Sequence, residues 1–229
     1  MPWFLKKNKE NKESECYPKM RWFLKSYQYV ERKEIKGTYY TGEVDSSGQP
    51  HGLGLIEKKD GSFEQGMFKK AKLDRKGIKL LGTTRKLFSG VWSDGKQHGF
   101  IKMTTHKDCE SFEGEMINNK KHGQGKEVKK GDSYDGMFES NKRHGEGLMK
   151  FANGDSYAGN WVEDKMQGFG IFNAASGDNY EGDFQNGKRT GTGTMIYKDG
   201  SRYHGEWLNN LYEKQGELEK DGVIYKGQF

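Results

Sequence analysis

SYAGNWVEDKMQGFG, residues 156–170, sets an aromatic, a glycine and an aromatic on alternate positions (Tyr157, Gly159, Trp161) and then returns with Gly168 and Gly170. The same unit recurs at Tyr40-Gly42-Val44, Phe88-Gly90-Trp92, Phe112-Gly114-Met116, Tyr134-Gly136-Phe138, Tyr180-Gly182-Phe184, Tyr203-Gly205-Trp207 and Tyr225-Gly227-Phe229. A distorted copy begins at Phe63, where Gln65 reads as inserted before Gly66. Successive starts lie 23, 25, 24, 22, 23, 23, 23 and 22 residues apart, the short regular period of a repeat array.

Each repeat reads as a β-hairpin. A period of two puts Tyr157, Gly159 and Trp161 on one face and Ala158 and Asn160 on the other. In second strands, Gly145, Gly147, Met149 and Phe151 share a face, as do Gly191, Gly193, Met195 and Tyr197. Turn pairs separate the strands: Asp94-Gly95, Asn118-Asn119 and Asn186-Gly187 on one side, Asp60-Gly61, Asn153-Gly154, Asp199-Gly200 and Asp221-Gly222 on the other. The expected fold is all-β: an elongated, single-layer, twisted antiparallel meander in which rings lie across glycine floors and size complementarity replaces a two-layer core. One hairpin buries too little to fold alone, so neighbours must share strand hydrogen bonds and ring contacts.

Composition agrees. Only 31% of the residues are apolar while 33 of 229 are glycine, and the mean hydropathy is -1.07, too polar for a thick interior. Aromatics at 13%, held in register, argue against disorder in the repeats. Cys16 and Cys109 make no disulfide framework, MPWFLKKNKE has too short an apolar run for a signal peptide, and no segment approaches a membrane span of ~20 apolar residues. These features predict an intracellular, cytoskeletal or cytoplasmic chain.

Tyr-x-Gly-x-Trp, a basic turn such as Asn186-Gly187-Lys188-Arg189, and His-Gly-x-Gly at His122 to Gly125 and His144 to Gly147 together resemble the MORN repeat, the membrane occupation and recognition nexus. The resemblance covers about residues 40–229 and gives a division into a basic, aromatic arm or cap (1–36) and a repeat domain (37–229) of about eight repeats plus a terminal half-repeat. The second repeat lacks His-Gly-x-Gly, the third has Gly99-Phe100-Ile101 in place of Gly-x-Gly, and the eighth reads as extended by two residues around Leu211-Tyr212. The resemblance implies a non-catalytic scaffold, since small MORN-only proteins are frequent in ciliary axonemes, including radial spokes, and in other cytoskeletal assemblies. It equally implies an alternative, a peripheral membrane adaptor for anionic phosphoinositides.

No catalytic signature appears. His51, His98, His122 and His144 each precede a repeat glycine and read as packing and turn groups, with no cysteine at zinc-like spacing, so neither a metal nor a cofactor is expected. Glu43, Glu115, Asp183 and Glu206 recur at equivalent positions and read as solvated surface. Charge is the functional lead: the net charge is +6, and turn lysines line one long edge if the hairpins stack in register. A denser group, Lys69, Lys70, Lys72, Arg75, Lys76, Lys79, Arg85 and Lys86, is the candidate contact for a partner or acidic surface; nucleic acid ranks last. Trp3, Phe4, Leu5, Trp22, Phe23 and Tyr27 are candidate docking residues of the arm, in which Phe23, Tyr27 and Val30 have helical spacing while YQYV also suits a strand. Tyr225, Gly227 and Phe229 form a terminal strand with an open edge, a candidate for β-augmentation or self-association. The expected partners are other proteins of a large assembly, further repeat or axonemal subunits among them.

Overall fold

The structure, a computed structural model, describes residues 28–105 and 109–229. The first strands are β1 (Gln28–Ile35), β2 (Thr38–Val44), β3 (Pro50–Lys58), β4 (Phe63–Lys69), β5 (Lys72–Leu81) and β6 (Lys86–Ser93). Then follow β7 (Lys96–Thr105), β8 (Ser111–Ile117), β9 (Lys120–Lys129), β10 (Asp132–Glu139), β11 (Lys142–Lys150) and β12 (Ser156–Val162). The last are β13 (Lys165–Asn173), β14 (Asn179–Gln185), β15 (Lys188–Ile196), β16 (Arg202–Leu208), β17 (Leu211–Lys220) and β18 (Val223–Gln228). Each strand pairs antiparallel with the next, giving a single open meander. At ~4.8 Å per strand the row runs about 80 Å.

One line of residues crosses this sheet at right angles to the strands. From Gly42 to Gly227 every strand contributes a glycine to it, directly paired with the glycines of its neighbours, except β7, which contributes Ile101. On the same face the tyrosine two residues earlier lies over the glycine floor and donates its hydroxyl proton to a carbonyl three residues on: Tyr134 to Met137 at 3.0 Å, Tyr157 to Asn160 at 3.1 Å, Tyr180 to Asp183 at 3.1 Å and Tyr203 to Glu206 at 3.0 Å. The tryptophans donate from Nε1 to glycine carbonyls, Trp161 to Gly147 at 3.3 Å and Trp207 to Gly193 at 3.1 Å. The rings thus bury their faces without stranding a polar atom, and Tyr157 is 0% exposed in a sheet one layer thick.

Successive rings also touch edge to face. An unbroken zipper runs Phe112, Phe138, Tyr134, Trp161, Tyr157, Phe184, Tyr180, Trp207, Tyr203, with interplanar angles of 81° to 90°. Tyr40 and Phe68 form a separate pair. Between Phe68 and Phe112 no ring contact bridges the gap among the described residues. There Glu64 occupies the tyrosine position, ion-paired with Lys79 at 2.9 Å across the strand, and Ile101 interrupts the glycine line.

The turns join one hairpin to the next. Along one long edge each tight turn carries two successive left-handed residues, among them Asn118-Asn119, Ser140-Asn141, Glu163-Asp164 and Asn209-Asn210, the backbone of a type I′ turn. The second N–H of each turn donates to the preceding hairpin, as from Asn119 to the carbonyl of Gln97 at 3.1 Å and from Asn141 to that of Lys121 at 3.0 Å. The Oδ1 atoms of Asn119, Asn141, Asp164 and Asn210 in turn accept from the N–H of Gln97, Lys121, Arg143 and Arg189. On the opposite edge Asp132, Asp155 and Asp178 accept from the N–H of Ala152, Ala175 and Lys198. At ~0.5–1.5 kcal/mol each, these bonds supply the coupling between repeats that a one-layer sheet cannot draw from a second layer.

Two local readings change, and a third narrows to one of its alternatives. No residue is inserted at Gln65: β4 runs straight, so Phe63 turns to the opposite face and Glu64 stands where the ring belongs. The eighth hairpin is not extended: Tyr212 faces Trp207 and Gly216 faces Gly205, as Met166 and Gly170 face Trp161 and Gly159. What departs there is Lys214, at φ 51, in the place of the left-handed glycine Gly168. The sheet also begins inside the stretch read as an arm or cap: Gln28–Ile35 forms β1 against β2, so Gln28 to Val30 take the strand of the two conformations left open.

A methyl group on the glycine line has nowhere to go. In Gly136→Ala the added carbon lies 2.5 Å from both Gly147 Cα and the Tyr134 hydroxyl, so a loss of ~1–3 kcal/mol is expected, whereas Glu146→Ala on the opposite face stays within ~0.5 kcal/mol. Equal melting temperatures for the two variants would contradict the ladder's role. Burial also pushes the hydroxyls of Tyr134, Tyr157 and Tyr180 up to about 12 from 10.0. A folded value raised above the unfolded one contributes stability that is complete below pH 10 and is lost as pH rises from 10 through 12. Tyrosinate absorbance at 295 nm should therefore appear together with the loss of near-ultraviolet dichroism; a separate earlier titration of all tyrosines would refute the burial.

Candidate functional site

The eight basic residues clustered in sequence are dispersed in space. Lys69, Lys70 and Lys72 meet at the β4–β5 turn, where Lys72 binds Asp94 at 2.8 Å and, by that hydrogen bond and its charge, holds the Asp94 carboxyl below the usual carboxylate range. Arg75 takes φ 65 where other repeats use glycine, and Lys76 faces Val91 on the open face. Lys79 lies on the ring-bearing face against Glu64, while Arg85 and Lys86 sit at the other long edge, Lys86 being 3.9 Å from Glu110. Alternation and a strand some 30 Å long at ~3.3 Å per residue separate what the sequence places side by side.

Register assembles a different basic feature. Lys72, Lys96, Lys120, Lys142, Lys165 and Lys188 are each the first residue of a second strand, all on the stitched turn edge and all exposed. With two strands per repeat they recur at ~9.6 Å. Lys72 and Lys142 are paired with the next turn's carboxylate, Lys142 with Glu163 at 3.4 Å; Lys96, Lys120, Lys165 and Lys188 form no salt bridge among the described residues, although Lys96 adds its charge beside Asp94.

The following residue points to the rings. Lys121, Arg143 and Arg189 hold their cations 4.9, 4.4 and 4.6 Å from the ring centroids of Phe112, Trp161 and Trp207. Lys121 is paired with Glu127 and Arg143 with Asp164 at 3.1 Å, whereas Arg189 meets Asn210 and rings, with no carboxylate partner among the described residues; burial draws its guanidinium value down. These cations roof the zipper, a role that the positions in sequence did not disclose.

The repeated carboxylates divide. Glu43 is buried, contrary to a solvated reading: its Oε2 accepts from Leu53 N at 3.0 Å and sits over Gly52, whose φ of +68 opens the backbone toward it. Asp183 makes the equivalent contact to Thr192 N at 3.3 Å. His98 is exposed, and His144 lies 3.4 Å from Glu139. Among the described residues no three His, Cys, Asp or Glu side chains converge on a metal-sized site, and Cys109 is an exposed thiol.

At the end of the sheet Gly227 closes the glycine line, and Phe229 packs against Tyr203, Tyr212 and Tyr225. The outer side of β18 has no strand partner among the described residues. Trp3, Phe4, Leu5, Trp22, Phe23 and Tyr27 lie outside the described residues. A shallow groove of 680 Å³ lies at the edge opposite the lysine row, lined in part by Asp178, Tyr197, Asp199 and Leu218. No described helix is long and apolar enough to cross a membrane.

Among solved structures the chain is similar to the TCP10 domain of Danio rerio CPAP in complex with a peptide of Danio rerio STIL, at 9% identity and a TM-score of 0.42, over 88% of this chain and 100% of that one. It is similar also to the SAS-4 (dCPAP) TCP domain of Drosophila melanogaster in complex with a proline-rich motif of Ana2 (dSTIL), at 8% identity and a TM-score of 0.40, over 85% and 97%. No curated protein matches the chain. The MORN repeat family model matches residues 40–63, 88–100, 112–132, 134–156, 157–179 and 180–202. These segments skip the second repeat, where Glu64 replaces the ring, and together span more than half of the sequence: the chain belongs to the MORN-repeat family.

Proposed function

We propose that this protein is a non-catalytic structural scaffold of a cytoskeletal assembly, a ciliary axoneme complex such as a radial spoke, that holds partner proteins at fixed spacing. The observation that carries the reading is the glycine line with its stapled edges: it fixes the register of every strand from β2 to β18, so groups on the plate's two faces and long edges stand at set distances. Function here lies in spacing and surface. The axonemal setting follows from the resemblance to small MORN-only proteins, and the partners are proteins of that assembly. The candidates for contact are the basic β4–β5 turn with Lys69, Lys70 and Lys72, the aromatic arm, and the terminal strand at Tyr225 and Phe229.

The lysine row favours a second reading, a peripheral adaptor for anionic phosphoinositides, since cations at ~9.6 Å intervals suit any planar array of anions. Fractionation separates the two. Tagged protein in isolated cilia or cytoskeleton is expected to remain in the detergent-washed pellet and to leave with salt; release with the lipids, or absence from cilia, would defeat the axonemal scaffold. Charge reversal at Lys96, Lys120 and Lys165 should lower the salt needed for release while leaving the circular dichroism melt unchanged, because all three are exposed and none forms a salt bridge among the described residues. A lowered melting temperature would assign these lysines to folding instead.

A further inference from the structure

The face opposite the rings has its own cross-strand line, adjacent to the glycine line. Over β7 to β10 it is ionic, with Lys102 3.6 Å from Glu113 and Lys126 2.9 Å from Asp135. Toward the other end it is polar again, with Thr194 2.8 Å from His204 and Lys226 2.8 Å from Glu217. Between these stretches three consecutive strands put Leu148, Ala158 and Ile171 directly opposite one another. Leu148 is 39% exposed and Ile171 40%, and Phe169, two residues along β13 on the same face, is 55% exposed. The same line carries Ile78 on β5, where it is 6% exposed.

The border of the patch is mostly acidic, Lys150 being the cation two residues past Leu148 on the same face. Glu181 stands opposite Ile171, Asp183 opposite Phe169, and Glu146 two residues before Leu148; Glu146 and Glu181 have no cationic partner among the described residues. Three strands span about 10 Å between the outer two, the diameter of one α-helix. A sheet face offers no free backbone hydrogen-bonding groups, so a segment that covers it must satisfy its own, which a helix does and an extended strand does not.

We propose that the open face of β11 to β13 docks an amphipathic helix of a partner protein, its apolar side on Leu148, Ala158, Ile171 and Phe169 and its Lys or Arg margins on Glu146, Glu181 and Asp183. The inference deepens the scaffold reading and rests on it. A chain retained in the detergent-washed pellet but indifferent to helix charge would lose this inference and keep the scaffold.

The test uses two labelled model helices with the same leucine pattern, one with lysine margins and one with glutamate margins, followed by fluorescence anisotropy on the full chain. The lysine helix is expected to bind at least tenfold more tightly than the glutamate helix. Ile171→Lys or Leu148→Lys should weaken it tenfold or more with an unchanged melting temperature, and Glu146→Lys with Glu181→Lys should reverse the preference. Equal affinity for both helices, or indifference to Ile171→Lys and Leu148→Lys alike, overturns the proposal. So does either other occupant: a dimer in sedimentation velocity that Ile171→Lys dissolves, or uptake by phosphatidylserine vesicles that Ile171→Lys abolishes.

Discussion

A tyrosine ring lying flat on paired glycines is the constraint on which the remainder of this molecule depends. The ring needs a floor without Cβ atoms on its own strand and on the next, so glycine must stand opposite glycine. Because each glycine is shared by two neighbouring pairings, the requirement passes from strand to strand. Gly136, Gly147, Gly159, Gly170 and Gly182 are therefore one object, not five turns or bulges. Register follows from it, since a slip by one residue would lift a side chain under every ring. The hydroxyl bonds from Tyr134 to Met137 and from Tyr157 to Asn160 then fix ring direction as well as depth.

A thin plate of this kind is as cooperative as the links between its repeats. From Phe112 onward every hairpin is linked by edge-to-face rings and turn-to-turn hydrogen bonds, and in three of them Lys121, Arg143 and Arg189 add cations set over rings, a place taken by Met166 and Tyr212 in the other two. At β4 to β7 the ring-to-ring contacts lapse beyond Phe68, although Trp92 stays buried and donates to the Gly77 carbonyl, and the Glu64–Lys79 pair and Ile101 stand in the line, while the turn stitching continues from Ala71 to Pro50 and from Gly95 to Leu73. An ion pair at that depth stabilises less than the ring contacts it displaces, because both charges lose hydration. The two zippers, one at Tyr40 and Phe68 and one from Phe112 to Phe229, are thus joined without ring-to-ring contact, by the turn stitching and by the buried side chains of Leu73, Trp92 and Ile101.

Much of this was legible in the sequence, and the reason is steric. A glycine-aromatic alternation with a period near 23 leaves few other arrangements, so the hairpins, their meander and the ring-bearing face could be read from Tyr157, Gly159, Trp161 and their copies. The errors at Phe63 and at Leu211-Tyr212 share one cause: residues were matched by type, whereas the strand counts by parity from the glycine. The basic cluster misled for a related reason. Proximity in sequence along a strand is distance in space, and alternation sends Lys76 and Lys79 to opposite faces. Conversely, the lysine row was legible as an edge conditional on register, and the register places Lys96, Lys120 and Lys142 along it, with Lys165 added.

Because the ring face is fixed by packing, the opposite parity is where one repeat can differ from another at little cost to the fold. At the open-face position next to the glycine, Lys126, Asp135, Leu148, Ile171, Thr194 and His204 all occur, and the sheet accepts each of them. Identity at those positions is free of the ladder's demand, so a departure there that leaves apolar atoms in water has no structural explanation on its own face. Leu148 and Ile171 are such departures. A chain that spends one parity on its own packing presents, with the other, a surface on which each repeat can address a different neighbour, and the spacing between those addresses is set by the same glycines that hold the rings.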